Sequence, residues 1–292
     1  MQREIRLGRS SRSIAITIGV GIFLAYFLLP LFWLIVAVTK TNTDLLSTFG
    51  LWFPPLNHFA LMANVQALFA QDGGVYGRWL LNTAIYAVAA SVGATALAGA
   101  AGFAFAKYRF AGSGALFIVI LGAIMVPGTA LALPLYLLLS KIGLINTYWA
   151  VILPSLISPF GVFLMRVYIS GAIPDELLDA ARVDGASDFR RFWNIVVPLT
   201  TPGLVTVLLF QFVGTWNNYF LPLLVLSKPD LYPITVGLAS WNAQASAGGG
   251  AEILFNVVVT GAFVSIVPLV AAFLLLQRYW QSGLTLGSVK GA

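Results

Sequence analysis

The chain has 292 residues, 59% of them hydrophobic and 9% charged, with 16 Lys+Arg against 10 Asp+Glu and a mean hydropathy of +0.91. A soluble globular surface usually carries roughly 25% charged residues, so this charge content excludes a soluble fold and points to a bilayer as solvent. The absence of cysteine excludes disulfides, thiolate metal sites and Cys nucleophiles, and a lone histidine, His58, excludes His-rich zinc or di-iron centres.

A helix needs about 20 apolar residues to cross a hydrocarbon core of about 30 Å. Residues 1–13 form a basic tail, and the uncharged stretch from Arg12 to Lys40 then predicts a helix over 14–38. Its apolar stretch of about 25 residues exceeds the usual 7–15 of a secretory signal, and no small-residue cleavage site follows, so an uncleaved first helix is expected. Residues 39–77 read as an extracytoplasmic loop, where His58 follows Pro54-Pro55, lacks a partner and reads as loop surface. Charge-free stretches from Arg78 to Lys107, Arg109 to Lys141, and Lys141 to Arg166 predict helices over 79–106, 114–139 and 149–170. Those from Arg191 to Lys228 and from Glu252 to Arg278 predict helices over 199–226 and 254–277. Between Asp230 and Glu252 the chain carries Pro233, Trp241, Asn242, Gln244 and Gly248-Gly249-Gly250, and reads as a loop. Residues 278–292 are a second tail. The fold class expected is an all-α membrane protein with six transmembrane helices.

With six spans both termini share a side. If that side is cytoplasmic, it holds twelve basic residues, Arg3, Arg6, Arg9, Arg12, Lys107, Arg109, Arg166, Arg182, Arg190, Arg191, Arg278 and Lys290. The outer side holds four, Lys40, Arg78, Lys141 and Lys228. That asymmetry obeys the positive-inside rule. The net charge of +6 is thereby a topology signal, which removes the support for nucleic-acid binding.

The inner loop over 171–197 is the charge-dense part of the chain. Asp175, Glu176, Asp179, Asp184 and Asp188 are half of all ten acids. Pro174 suits the first position of a helix, and acids in its first turn favour the dipole. Gly185 suits a left-handed stop, and Ser187 a second helix's cap. In that second helix Phe189, Phe192, Trp193 and Val196 fall at i, i+3, i+4 and i+7. The reading is two short amphipathic helices meeting at a glycine turn, with an apolar ridge that lies on headgroups, packs on its own bundle, or docks into another protein's groove.

The pattern Asp179-Ala180-Ala181, three residues, Gly185, nine residues, Ile195, one residue, Val197-Pro198 resembles the "EAA" loop of bacterial ABC importer permeases. Asp179 stands where that loop has Glu, and Val197 where it has Leu. Phe105-Ala106-Lys107-Tyr108-Arg109-Phe110, Gly143-Leu144-Ile145-Asn146-Thr147-Tyr148-Trp149, Trp216-Asn217-Asn218 and the tail Gly283–Gly291 are similar to the carbohydrate branch of that family. Within that branch these segments resemble the second permease subunit of maltose-type importers.

The resemblance implies a type I ABC importer permease fold with a transmembrane domain over 78–277, in a bacterial inner or plasma membrane. It implies a heterodimer with a second permease, two copies of an ABC ATPase below, and an extracytoplasmic solute-binding protein above. Pro174–Asn194 would be the coupling element in the ATPase cleft, with Asp179, Ala180, Ala181, Asp184, Gly185, Phe189, Phe192, Ile195 and Pro198 as its residues. Gly283–Gly291 would add a second ATPase contact, and Trp241, Asn242 and Gly249 a contact to the binding protein. The chain contains no Gly-Lys dipeptide, hence no phosphate-binding motif, so no cofactor is expected on this chain and ATP and Mg belong to the partner ATPase.

The pathway candidates are Asn82, Gln211, Trp216, Asn217 and Asn218, with Tyr86, Tyr219 and Asn256 beside them. Amides and aromatic faces suit a sugar, but amides in spans also bond neighbouring helices as interhelical glue. An ion-coupled carrier would need ionisable residues at mid-membrane, and an intramembrane hydrolase a Ser-His or paired-Asp site; the spans offer neither. No residue is assigned a catalytic or metal-binding role. An ABC permease for a peptide, an amino acid or phosphate is the reading that competes with sugar.

Overall fold

The structure is a computed structural model that describes residues 2–48, 50–246 and 251–285. Among the described residues every regular element is helical. The chain divides into two compact units, Met1–Gly74 with Ser240–Val264, and Val75–Ala239 with Ser265–Ala292.

In the first unit, α1 (Gln2–Val38) begins inside the stretch expected as a tail. Its large apolar side chains from Ile14 to Leu31 are exposed all round, as suits a helix surrounded by lipid. Its end packs inward: Ala37, Leu45 and Val259 form a small core with Trp33, Leu34 and Phe255. The segment read as a loop over 39–77 carries α2 (Asn42–Ser47) and α3 (Leu61–Ala70). Thr41 caps α2, its hydroxyl accepting from the Asp44 amide at 3.2 Å. Lys40 is 4% exposed, and its amine donates to the Thr48 and Gly50 carbonyls and to the Thr48 hydroxyl. A buried cation is tolerable because all three donors are used. His58, expected to lack a partner, lies 3.2 Å from the Asp44 carboxylate. The Thr41 hydroxyl holds Asp44 below the usual carboxylate range, with His58 and Lys40 assisting.

The second unit is organised around α4 (Val75–Lys107), a 33-residue helix. The predicted helix over 114–139 is two arms, α5 (Ser113–Met125) and a segment Gly128–Lys141 containing α6 (Ala132–Lys141), bent by 101°. Pro127 causes the break: the residue before a proline is forced extended, and Val126 has ψ 119°. The predicted 149–170 helix is α7 (Trp149–Ser155) and α8 (Pro159–Ala172), parted at 156–158. Ser158 caps α8 by accepting from the Gly161 amide, and Pro159 fills its first position.

The charge-dense loop over 171–197, expected on the inner side, holds α9 (Asp175–Val183) and α10 (Asp188–Arg191). A π-helical turn (Phe192–Val196) and α11 (Val197–Leu199) then lead to α12 (Thr201–Trp216) across an 81° bend. The predicted 199–226 helix thereby starts at Thr201 and breaks again before α13 (Phe220–Val225). Where a loop was expected after Asp230 the structure has α14 (Ile234–Ser246), and α15 (Ala251–Thr285) outlasts its predicted end at 277. Among the described residues four helices are long and apolar enough to cross a membrane, or up to six if each bent pair counts as one span.

In lipid, burying an apolar side chain gains little, because the alternative is also apolar; close packing and hydrogen bonds decide which helices associate. α4 packs along α8 and α12. A Cβ at Gly102 would lie 2.5 Å from the Met165 Cβ and 2.9 Å from the Arg166 amide nitrogen, so glycine permits the crossing. The inner core of this unit is Ala98, Phe103, Met165, Ile169, Ile173, Leu178, Val196 and Val207. A second cluster at the other end of α4 joins Tyr86, Leu139, Ala150, Val151, Val225 and Leu226.

Candidate functional site

The inner loop is built from local chemistry. Pro174 is the N-cap of α9, one place before the position its sequence suggested. Asp175 and Glu176 occupy the first turn and Arg182 the last, each sign matched to the helix dipole. Asp184 caps the end. Gly185 has φ +80°, donating its amide to Arg182 at 3.0 Å while the Ala186 amide returns to Ala181 at 2.9 Å. Ser187 then caps α10, its hydroxyl accepting from the Arg190 amide.

The side chains divide into two faces. Asp179, Ala180, Asp184, Gly185, Phe189 and Pro198 are exposed; Ala181, Phe192 and Ile195 are half-buried. The apolar ridge expected over Phe189, Phe192, Trp193 and Val196 is split. Val196 is 1% exposed and Phe192 packs at a tilt against Phe103, with centroids 5.7 Å apart. The π turn adds a residue to the ladder, so α-helical spacing misjudges which face each ring takes. The exposed large apolar side chains of the loop are Val183 (88%), Phe189 (74%), Trp193 (49%) and Leu177 (40%).

Two anchors fix α9. Leu178 is buried in the inner core. The Lys107 amine, from the end of α4, donates to the Ile173 carbonyl at 2.6 Å and to the Asp175 carboxylate at 2.5 Å. That hydrogen bond holds the Asp175 carboxyl below the usual range, reinforced by the charges of Lys107 and Arg109. Arg191 is buried and paired with Asp188. Lys107 was outside the predicted site, since its partners lie 66 and 68 residues away.

Most of the predicted pathway residues serve as glue. Asn82 is fully buried; its amide donates to the Asp230 and Tyr232 carbonyls and accepts from the Tyr148 hydroxyl at 2.6 Å. The Tyr86 hydroxyl donates to the Leu231 carbonyl. Gln211 donates to the Ser155 carbonyl, and the buried Trp216 indole to the Ser265 carbonyl. Asn217 is exposed, its amide turned back to the Val213 carbonyl of its own helix. In the first unit Asn256 is buried and donates to Asn64.

Asn218 differs in its surroundings, although its side-chain oxygen also accepts from the Leu221 amide at 3.4 Å. It lines a cavity of ≈ 680 Å³ with Thr129, Ser155, Leu135 and Phe220. Gly128 and Ala132 beyond the Pro127 break, Ile157 in the α7–α8 break, and Asn218 in the α12–α13 break share its wall. Three interrupted helices thus meet at one space of a size that accepts a small organic solute.

Of the residues expected to meet a binding protein, Asn242 is exposed. Trp241 is 1% exposed, its indole donating to the Asp72 carboxylate at 2.8 Å, so its ring is not offered to a partner. The reason is that α14 is a helix with an inward face, not the open loop its glycines suggested. Gly249 and residues 286–291 of the tail lie outside the described residues.

Comparison with known proteins bears on this arrangement. Residues 94–285 match the family model described as "Binding-protein-dependent transport system inner membrane component". The chain is 35% identical to the arabinooligosaccharides transport system permease protein AraQ of Halalkalibacterium halodurans, over 94% of this chain and 96% of that one. It is 32% identical to the lactose transport system permease protein LacG of Rhizobium radiobacter, over 94% of each. Its fold matches a chain in the crystal structure of a bacterial ABC transporter that imports the acidic polysaccharide alginate. The TM-score is 0.78 at 22% identity, covering 92% of this chain and 96% of that one.

Proposed function

The chain belongs to the family of binding-protein-dependent transport system inner membrane components, and from that premise we propose that it is the permease subunit of an ATP-driven importer for a sugar or oligosaccharide. The observation that carries the reading is the inner loop: two helices joined at Gly185, held from inside by Leu178 and Phe192, and presenting Val183, Phe189 and Trp193 outward. Exposed apolar groups on a charged loop suit the groove of a second protein. That protein is an ATPase subunit present in two copies, which binds ATP and Mg; this chain supplies no phosphate-binding motif and is not itself an enzyme.

The assembly is completed by a second permease in a heterodimer and by an extracytoplasmic solute-binding protein. The chain lies in a bacterial inner or plasma membrane with both termini cytoplasmic, as its twelve-to-four distribution of basic residues favours. The transmembrane domain over 78–277 provides the pathway, with 171–197 as its coupling loop. Asp179, Ala180, Ala181, Asp184 and Gly185 shape that loop, and Phe189 is its leading contact. The solute passes the cavity at the three helix breaks, where Asn218, Ser155 and Thr129 offer hydrogen-bonding groups among apolar walls. A hydroxyl-rich neutral solute fits that lining, in keeping with relatives named for arabinooligosaccharides and lactose.

Two measurements test this. A photo-cross-linker at Ala186 should capture the ATPase subunit in native vesicles; capture of no nucleotide-hydrolysing partner overturns the coupling role. The cognate binding protein should bind arabinotriose, lactose or maltotriose in calorimetry; tight binding of an amino acid or phosphate instead overturns the sugar assignment.

A further inference from the structure

One helix holds both ends of this machinery. At its outer end α4 places Trp79, Asn82, Thr83 and Tyr86 at i, i+3, i+4 and i+7, hence on one face. All four bond the segment 229–234: the Trp79 indole to the Pro229 carbonyl at 2.9 Å, Asn82 to Asp230 and Tyr232, Tyr86 to Leu231. Thr83 accepts the Ile234 amide at 2.8 Å. At its inner end Lys107 bonds Ile173 and Asp175, on both sides of Pro174. Between these hooks α4 is a run rich in alanine and glycine, closely packed on α8 and α12. At 1.5 Å per residue its 33 residues span about 50 Å.

The Lys107 contact is asymmetric. Its own side chain is 8% exposed, whereas the side chain of Asp175 is 79% exposed. An amine so buried needs its acceptors, and those it has come from two elements: the carbonyl that ends α8 and a carboxylate in the first turn of α9. The joint between a membrane helix and the coupling helix is therefore gripped by a third element. The lever arm of α9 is set by α4 as well as by its covalent neighbour.

We infer that α4 is a strut between the outer segment 229–234 and the coupling helix, and that Lys107 is its inner latch, a positioning residue that aims α9 at the ATPase. This inference rests on the importer reading above. Displacement of 229–234 is passed down a hydrogen-bonded helix to Asp175 without using the cavity wall. Loss of the latch leaves the start of α9 held by Pro174 and Leu178, with the far side of the loop still packed through Phe192 and Val196.

The test uses the complete importer in nanodiscs. It reads the ratio of ATPase rates with and without the cognate binding protein, added with a panel of arabinotriose, lactose and maltotriose. Lys107→Met should lower that ratio at least tenfold, and Lys107→Arg, which keeps a cation in reach, should restore most of it. Asp175→Asn changes an exposed side chain and keeps an oxygen that can accept from the Lys107 amine, so it should assemble, and it should lower the ratio several-fold. It keeps the inference falsifiable if Lys107→Met fails to assemble. Wild-type ratios in both Lys107→Met and Asp175→Asn, or in Asp175→Asn alone where Lys107→Met does not assemble, overturn the latch while the importer stands. A wild-type complex whose ATPase ignores its binding protein overturns the importer reading, and the latch with it.

Discussion

The Gln211 side-chain amide donates to the backbone carbonyl of Ser155 at 2.7 Å. In an unbroken helix that carbonyl would accept the amide of the residue four places on, but that residue is Pro159, which has none. A side chain from α12 thus supplies the donor that the α7–α8 break removes. Pro222 repeats the arrangement: it leaves the Asn218 carbonyl free, and the Thr235 hydroxyl donates to it at 2.8 Å. Breaks in membrane helices persist when neighbours satisfy the orphaned groups.

Gln211→Leu should therefore act on stability and not on solute recognition. The expected loss is about 1 kcal/mol, the scale of a hydrogen bond between membrane helices. Thermal unfolding in mild detergent measures it, with the KM for uptake unchanged. A raised KM at wild-type stability would mean that Gln211 touches solute.

The loop over 171–197, proposed to couple to the ATPase, offers a sharper contrast. Phe189 is 74% exposed, so Phe189→Asp should fold, insert and bind its partner permease normally while losing transport. Phe192 packs on Phe103, and Phe192→Asp buries a charge in the inner core, costing several kcal/mol. Expression level and unfolding midpoint separate the two variants: only the second should fall.

Gly185 sits at φ +80° with open space around its α-carbon. Gly185→Ala meets no clash but must adopt a left-handed backbone, at a cost of about 1–2 kcal/mol. Gly185→Pro cannot adopt it at all, and it also deletes the amide that bonds Arg182. ATP-driven uptake should fall modestly for the first and be abolished for the second, both with normal membrane insertion.

The Lys107 bond depresses the Asp175 pKa below its ordinary 3.8. A depressed carboxyl stabilises the fold above its unfolded pKa and loses that contribution as pH falls through the lower, folded value. The pair should consequently be indifferent to pH from 8 down to about 5 and fail only below 3.8. A spin label at Val183→Cys, in a chain with no native cysteine, reports it: mobility should stay flat across that range and rise in stronger acid. Asp175→Asn should show the mobile state at every pH.

Leu135 faces the cavity of ≈ 680 Å³. Leu135→Trp should fill part of it and cut oligosaccharide uptake more than uptake of a monosaccharide. Equal uptake of both at wild-type rate would place the pathway elsewhere.

Much of the helical plan is readable from charge spacing alone. The Arg78–Lys107 stretch predicts 79–106, and α4 runs Val75–Lys107, because charges mark where a helix leaves hydrocarbon. Gly185 and Ser187 are readable because a turn and a cap are decided within a few residues. The 101° bend at Pro127 is not, since a proline can kink a span or end it, and distant packing chooses. Trp241 misled because its partner Asp72 is 169 residues away, and amphipathic burial of α14 is invisible beside a glycine run. Asn82 has the composition of a sugar contact, yet three hydrogen bonds consume it; only geometry separates a binding amide from a structural one.

The wide turn at Phe192–Val196 carries one residue more than a regular ladder requires. Removing Asn194 there would let the coil tighten and swing Asp188–Arg191 about the axis by about 100°. Phe189 would then point sideways while Val196 stayed fixed in the inner core. A one-codon deletion, harmless in most surface loops, is here a misaligned drive shaft.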